Sequence, residues 1–168
     1  MKIKKIIILG ATGQIGKELS LEFSKIKNIK TVSHSRTKVG SSFFKFHNLP
    51  NIIGDLNNNN IIHEISSADL VFDLAAPNQG TLKEIKKFYH KRFNVIIPHM
   101  KKNSKFVFAS SMNAFGIDIK RKKLKNYIIS SSIYASNKRY AESYVKKLCK
   151  KNSLDIYIIR LAEVHGNY

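Results

Sequence analysis

At 168 residues and 43% apolar content, the chain is long enough to bury a core and reads as one domain over residues 1–168. Thirty Lys and Arg against eleven Asp and Glu give a formal charge of +19, which attracts phosphorylated metabolites, nucleic acids and anionic membranes. The cations are spread over runs at 2–5, 83–87, 101–105, 120–125 and 146–151 with no nucleic-acid reading motif beside them, so nucleic acid is not expected as the main partner. The single Cys149 excludes an internal disulfide, and the six scattered histidines exclude a clustered metal site. The apolar start, broken at Gly10, is too short to read as a signal peptide or membrane span, and the cytoplasm is the expected location.

In chain order, strands are predicted over 3–9, 29–33, 51–54, 69–74, 105–109 and 155–160, and helices over 14–26, 58–65, 81–101 and 134–151. Strands alternating with crossover helices make an α/β fold with a parallel sheet covered on both faces. With right-handed crossovers the expected topology is a doubly wound sheet of order 3-2-1-4-5-6, a Rossmann fold, with ligand above the carboxyl ends of strands one and four.

Residues of chemical interest fall at those ends. The first strand closes on a glycine turn, where Gly10, Thr12, Gly13, Gln14, Ile15 and Gly16 are candidate cofactor contacts. Such a turn lets backbone N–H groups approach a pyrophosphate at a helix N-terminus, although glycines also serve as plain turn and packing residues. The second strand runs out through Ser35 and Arg36 with no acid at its end, which suits a 2′-phosphate, so NADP is expected, with NAD as the alternative. Asp55 and Leu56 follow the third strand; Leu74, Ala75 and Ala76 follow the fourth, where small residues let the chain run close to a flat ligand.

Tyr134 and Lys138 stand one helical turn apart on one face, and Ala141, Val145 and Leu148 continue the stripe. Strand 105–109 runs into Ser110 and Ser111, placing hydroxyls at another carboxyl end. A Tyr beside an ammonium, with a Ser to hold a substrate oxygen, is a proton-transfer device suited to hydride chemistry at a carbinol carbon. The plain alternative for the same residues is a packed tyrosine, a solvated lysine and a loop serine.

Seven ordered stretches together resemble the extended short-chain dehydrogenase/reductase superfamily, in particular the NAD-dependent epimerase/dehydratase family. They are GATGQIG at 10–16, GDL at 54–56, DLVFDLAA at 69–76, NV at 94–95, FVFASSMNAFG at 106–116, YASNKRYAE at 134–142 and IIRLAEVHG at 158–166. The resemblance implies Ser111, Tyr134 and Lys138 as the catalytic triad, with Tyr134 as acid/base, Lys138 on the nicotinamide ribose and Ser111 on the reacting oxygen. It also implies Asn94 as a structural and relay residue, Asp55 beside the adenine, and dimer packing through the helices at 81–101 and 134–151.

Departures from the family bear on the activity. Ser111, Met112 and Asn113 stand where sugar 4,6-dehydratases carry Thr-Asp-Glu, which argues against dehydration. Leu161 and His165 replace a family proline and tyrosine, and the stretch at 119–132 is basic rather than acidic. Family members carry roughly another hundred residues that form a substrate lobe, so with the sequence ending at Tyr168 a C-terminal lobe is expected to be missing. The expected function is therefore an NAD(P)-dependent epimerase or reductase acting on a nucleotide-linked or similar sugar, as a homodimer or with a partner chain supplying the lobe. The alternatives are a catalytically impaired cofactor-binding pseudoenzyme or regulatory subunit, and a nucleic-acid-binding protein on the same scaffold.

Overall fold

The computed structural model describes residues 2–77, 80–114, 117–118, 127–128 and 132–162. In chain order the elements are β1 (Lys5–Leu9), α1 (Gln14–Ser24), β2 (Lys30–Ser35), α2 (Lys38–Phe46), β3 (Asn51–Ile53), α3 (Asn59–Ser67), β4 (Leu70–Asp73), α4 (Leu82–Ile96), β5 (Lys105–Ser111), β6 (Ile117–Asp118), β7 (Tyr127–Ile128), α5 (Ile133–Lys151) and β8 (Asp155–Leu161). Six strands form one parallel sheet in the order β3-β2-β1-β4-β5-β8. Numbered along the sheet's own strands this is 3-2-1-4-5-6, the expected doubly wound topology. Strands β6 and β7 pair separately as a short antiparallel ladder.

Alternation along β1 explains why the sheet needs helices on both sides. Ile7 and Leu9 enter a core with Ile61 and Ile65 of α3, Tyr89 and Phe93 of α4, and Ala141 and Val145 of α5. Ile6 and Ile8 enter the opposite core, where Leu19 and Phe23 of α1 and Phe44 of α2 cover the sheet. A strand buried on both faces must be apolar at every position, and the IIIL run of β1 meets that demand.

Helix α2 is not among the elements predicted from the sequence. Its Gly40, Ser41 and Ser42 weaken the apolar period, and the helix forms because Phe44 is fully buried and the Thr37 hydroxyl accepts from the Gly40 N–H at 3.1 Å. Predicted helix 81–101 ends at Ile96, and a 3-10 turn over Ile97–His99 containing Pro98 follows it. Its start is strongly specified: Thr81 and Glu84 form a capping box.

One buried carboxylate ties the amino ends of the central strands together. Asp69 Oδ2 accepts the backbone N–H groups of Lys4 and Lys5 at 2.7 and 2.9 Å, and the Lys101 ammonium pairs with Oδ1. Burial pushes this carboxyl up, but the Lys101 ammonium and the two N–H donors outweigh it and hold it below its ordinary value of 3.8. A carboxylate so depressed contributes stability above that ordinary value and loses it as pH falls through the folded-state value. Asp69→Asn should therefore destabilise the fold by about 1–3 kcal/mol at neutral pH. Urea melts at falling pH should show the gap between variant and wild type closing below pH 3.8.

Candidate functional site

The chain leaves β1 at Gly10 with φ +75°, a left-handed conformation that glycine adopts without strain. A Cβ at Gly10 would lie 2.7 Å from the Ala75 nitrogen, and one at Gly16 would lie 2.5 Å from the Ala11 Cα, so both glycines are demanded by close backbone approach. Gly13 differs: a Cβ there would meet only the Gly10 carbonyl oxygen, at 3.6 Å. Gly13 caps α1 without a side-chain hydrogen bond, and the first turn of the helix carries no acidic residue. The orphan N–H groups of α1 thus face a cavity of about 160 Å³ lined by Gly10, Gly13, Gln14, Ile15, Gly16 and Leu74. This is a cradle of phosphate size at the positive end of a helix dipole. Thr12 is exposed beside it, its methyl close to Gly40 of α2.

At the end of β2 the structure corrects one sequence expectation. The strand continues through Ser35, which is buried and donates its hydroxyl to Asn51 Oδ1 at 2.7 Å. Ser35 is therefore a strut between β2 and β3 and is not available to a 2′-phosphate, whereas Arg36 is exposed at the rim. Next to Ser35, His34 pairs through Nε2 with the Gly54 carbonyl at 2.8 Å. Burial holds this imidazole below its ordinary value, so it is a neutral strut for the turn carrying Asp55. Asp55 is exposed, Leu56 packs against the larger core, and Leu74 packs against the smaller one while lining the cradle. Ala75 is half-buried and Ala76 exposed beyond it.

Ser111, Tyr134 and Lys138 gather at the carboxyl end of β5. Lys138 is 4% exposed; its ammonium donates to the Ala109 carbonyl at 3.0 Å and lies 5.8 Å from the centre of the Tyr134 ring. Burial pulls this ammonium down from its ordinary value, opposed by the charges of Asp73 and Glu142. Tyr134 is 48% exposed, so its ring opens to solvent while its lysine is sealed behind it. Ser111 ends β5 and its Oγ accepts from the Asn113 N–H at 3.2 Å.

Asn94 does not join them. Its side chain is on the outer face of α4, accepting from the Tyr144 hydroxyl at 3.1 Å and paired with His90 Nδ1 at 2.9 Å. Phe93 takes the sheet-facing position, and Tyr144 lies ten residues beyond Tyr134, about 15 Å along α5. As a side-chain relay to the triad, Asn94 is overturned by this geometry.

Two ionic clusters around the site escape the sequence reading. Asp73, the last residue of β4, is fully buried, and Arg92 Nε donates to both its oxygens at 2.9 and 2.8 Å. The sequence signal was an acid at the end of a fully apolar strand, which must find a cation when buried. Glu142, one turn beyond Lys138, accepts from the Ser110 hydroxyl at 2.5 Å and from Arg160 Nε and Nη2 at 2.9 and 2.6 Å. Burial pushes this carboxyl up, and Arg160 and Ser110 more than reverse the effect. Glu142 thereby locks α5 to β5 and β8 and sets the height of Lys138 and Tyr134.

Of the basic stretch, residues 119–126 and 129–131, together with Phe115, Gly116, Val164 and His165, lie outside the described residues. Among the described residues there is no group of three or more potential metal ligands, and no helix is long and apolar enough to cross a membrane.

The glycine cradle and the sheet order define a Rossmann-type dinucleotide-binding fold. Residues 6–168 match the NAD dependent epimerase/dehydratase family, and the chain belongs to that family. Comparison with curated proteins gives no match. Among solved structures, a UDP-glucuronic acid 4-epimerase from Bacillus cereus in complex with NAD is similar at TM-score 0.75 and 20% identity, over 96% of this chain and 57% of that one. A UDP-N-acetylglucosamine 4-epimerase from Methanobrevibacter ruminantium is similar at TM-score 0.68 and 24% identity, over 95% of this chain and 55% of that one. A short-chain dehydrogenase/reductase superfamily protein from Agrobacterium tumefaciens with bound NAD is similar at TM-score 0.68 and 14% identity, over 93% and 48%. The chain spans little more than half the length of the first of these structures.

The glycines separate fold from ligand. Gly10→Ala should lower stability by about 1–3 kcal/mol through left-handed strain and the clash with Ala75. Gly13→Ala, whose Cβ would make an ordinary contact with the Gly10 carbonyl oxygen at 3.6 Å, should cost less than about 1 kcal/mol. Thermal melts of the two variants side by side check this.

Proposed function

We propose that residues 1–168 form the nicotinamide-dinucleotide-binding, redox-active domain of an epimerase or reductase acting on a carbinol carbon of a nucleotide-linked or similar sugar. The observation that carries this reading is Lys138, buried and tethered to Ala109 behind a half-exposed Tyr134, with Ser111 at the end of the same strand. A solvated surface lysine would not be sealed in this way, since burying an ammonium is costly. Family membership and the NAD and UDP-sugar complexes of the similar epimerases support the same reading.

The residues present fit a dinucleotide: the N–H groups of the glycine turn would hold the pyrophosphate, and Asp55 would lie at the adenosine side. Arg36 is the side chain suited to a 2′-phosphate, so NADP is the preferred cofactor in this reading. When bound, the nicotinamide ring exchanges a hydride with the carbon that bears the reacting oxygen. Ser111 holds that oxygen by a hydrogen bond. Tyr134 takes the hydroxyl proton as the carbon gives up its hydride and a carbonyl forms, and it returns the proton when the carbonyl is reduced. Lys138 holds the ribose and places its positive charge beside Tyr134 as the proton leaves.

A second reading, cofactor binding without turnover, is favoured by the outward-facing Asn94, which leaves the triad without the relay that the family resemblance implies. Turnover assays with UDP-hexoses separate the two. If the first reading holds, Tyr134→Phe lowers turnover by about 100-fold or more while the dissociation constant for the dinucleotide stays unchanged. A wild-type chain that binds the dinucleotide and turns over no sugar establishes the second reading. Gly13→Ala should weaken dinucleotide binding by about tenfold in either case, because it adds a methyl group at a residue that lines the cradle.

Calorimetric titration should show tighter binding of NADPH than of NADH. Arg36→Ala should narrow that gap by about 1–3 kcal/mol, the range of a charge-assisted contact. Equal or tighter binding of NADH to the wild type rejects the preference for NADP.

A further inference from the structure

On the side of the sheet opposite α4 and α5, helix α2 buries one face and leaves the other bare. Phe44 enters the smaller core at 0% exposure. Val39 and Phe46, seven residues apart on the opposite stripe, are 85% and 82% exposed, more than any other large apolar residue described. Single exposed apolar residues are ordinary, but two at helical spacing make a ridge about 10 Å long. Its aromatic end is buttressed: the His47 ring lies 4.9 Å from that of Phe46 and 4.5 Å from that of Phe43, centre to centre. Phe46 therefore stands out from a packed base.

The ridge sits in a field of one sign. From Lys30 to Gly54 the sequence holds no acid and four cations, Lys30, Arg36, Lys38 and Lys45. The Lys17 ammonium of α1 lies 5.1 Å from the Phe43 ring centre, and the end of that helix adds Lys25 and Lys27, both exposed. Against these, α1 offers Glu18 and Glu22, the latter paired with Lys25 at 2.6 Å. A second copy of this chain set ridge to ridge would bring Lys38 and Lys45 against their own kind.

We propose that α2 docks on an anionic lipid surface, with Val39 and Phe46 entering the headgroup region and Lys38 and Lys45 meeting lipid phosphates. Protruding apolar side chains flanked by cations are what an interfacial helix presents to a bilayer. Charge complementarity selects an anionic leaflet over a zwitterionic one. The convex shape selects a fluid surface over a folded partner, because a stable protein interface buries about 800 Å² per partner and would need a groove to receive the ridge. Phe44 keeps the helix seated on its own sheet, so the docking is peripheral and reversible. It leaves α4 and α5 clear and does not depend on the proposed redox function.

The test is co-sedimentation of the chain with sucrose-loaded vesicles of phosphatidylcholine carrying about 30% phosphatidylserine, beside vesicles of phosphatidylcholine alone. The anionic vesicles should bind at least tenfold tighter. The double variant Val39→Ser/Phe46→Ser should weaken that binding by about tenfold or more with its melting temperature unchanged, since both side chains are exposed. Leu82→Ser/Ile133→Ser, at exposed apolar positions of α4 and α5, should change it by less than threefold. Lys38→Glu/Lys45→Glu should weaken it about 25-fold, fivefold for each lysine, whereas Lys83→Glu/Lys146→Glu, with the same change in total charge, should cost less than fivefold. The chain has no tryptophan, so Phe46→Trp introduces a single reporter. Its emission should move to shorter wavelength on anionic vesicles, and that of Ile133→Trp should not. Equal binding to the two kinds of vesicle, equal losses in either matched pair of double variants, or an unmoved Phe46→Trp emission would each overturn the proposal. So would self-association in the absence of lipid that Val39→Ser/Phe46→Ser abolishes, which assigns the ridge to a protein contact.

Discussion

The carboxyl ends of β1 and β4 approach so closely that no side chain fits between Gly10 and Ala75. That contact turns the chain into α1 with its first N–H groups unpaired and facing the cradle, and the Ala11–Gly16 contact presses the helix onto the same strand end. The cavity for a phosphate exists because the backbone, rather than any side chain, occupies the floor. Sites made of backbone amides are pre-organised, since nothing must reorient when an anion arrives.

A second regularity links this cradle to the rest of the molecule. In a chain with eleven acids, three of them, Asp69, Asp73 and Glu142, are buried at strand ends or beside them, and each holds a cation from a different element. Asp69 joins β1 and β4 to Lys101, Asp73 joins β4 to α4, and Glu142 joins α5 to β5 and β8. Removing one partner from such a pair leaves an uncompensated charge in a low-dielectric interior, which is far costlier than losing a surface pair. These pairs fix helix heights relative to the sheet, and Lys138 takes its position from the last of them. They also withdraw negative charge from the exterior, so the surface is more uniformly basic than composition alone implies, most of all along α4 and α5.

How far the sequence could be read follows from the range of each interaction. Among the described residues, the six strands of the parallel sheet, four of the five α-helices and the sheet order were legible, because apolar period and glycine placement are local signals read within about a dozen residues; the short β6–β7 ladder was not. Helix α2 was not, because its stability comes from Phe44 meeting a core built by residues far along the chain. The Tyr134–Lys138 pair was legible from helical spacing. The outward turn of Asn94 was not, since a shift of one residue around a helix is decided by whether Phe93 or Asn94 fits against β5.

By itself, then, the sequence determined the class of fold, the glycine cradle, the Tyr–Lys spacing and the basic character of the surface, all of them properties of neighbouring residues or of composition. Tertiary structure alone decided that Ser35 is a strut tied to Asn51, that Asp73 pairs with Arg92 nineteen residues away, and that His90, Tyr140 and Tyr144 from two helices form one stack. The physical reason is the same in each case. A polar or aromatic side chain takes its role from the partner that packing brings to it, and that partner lies too far along the chain for any local pattern to announce.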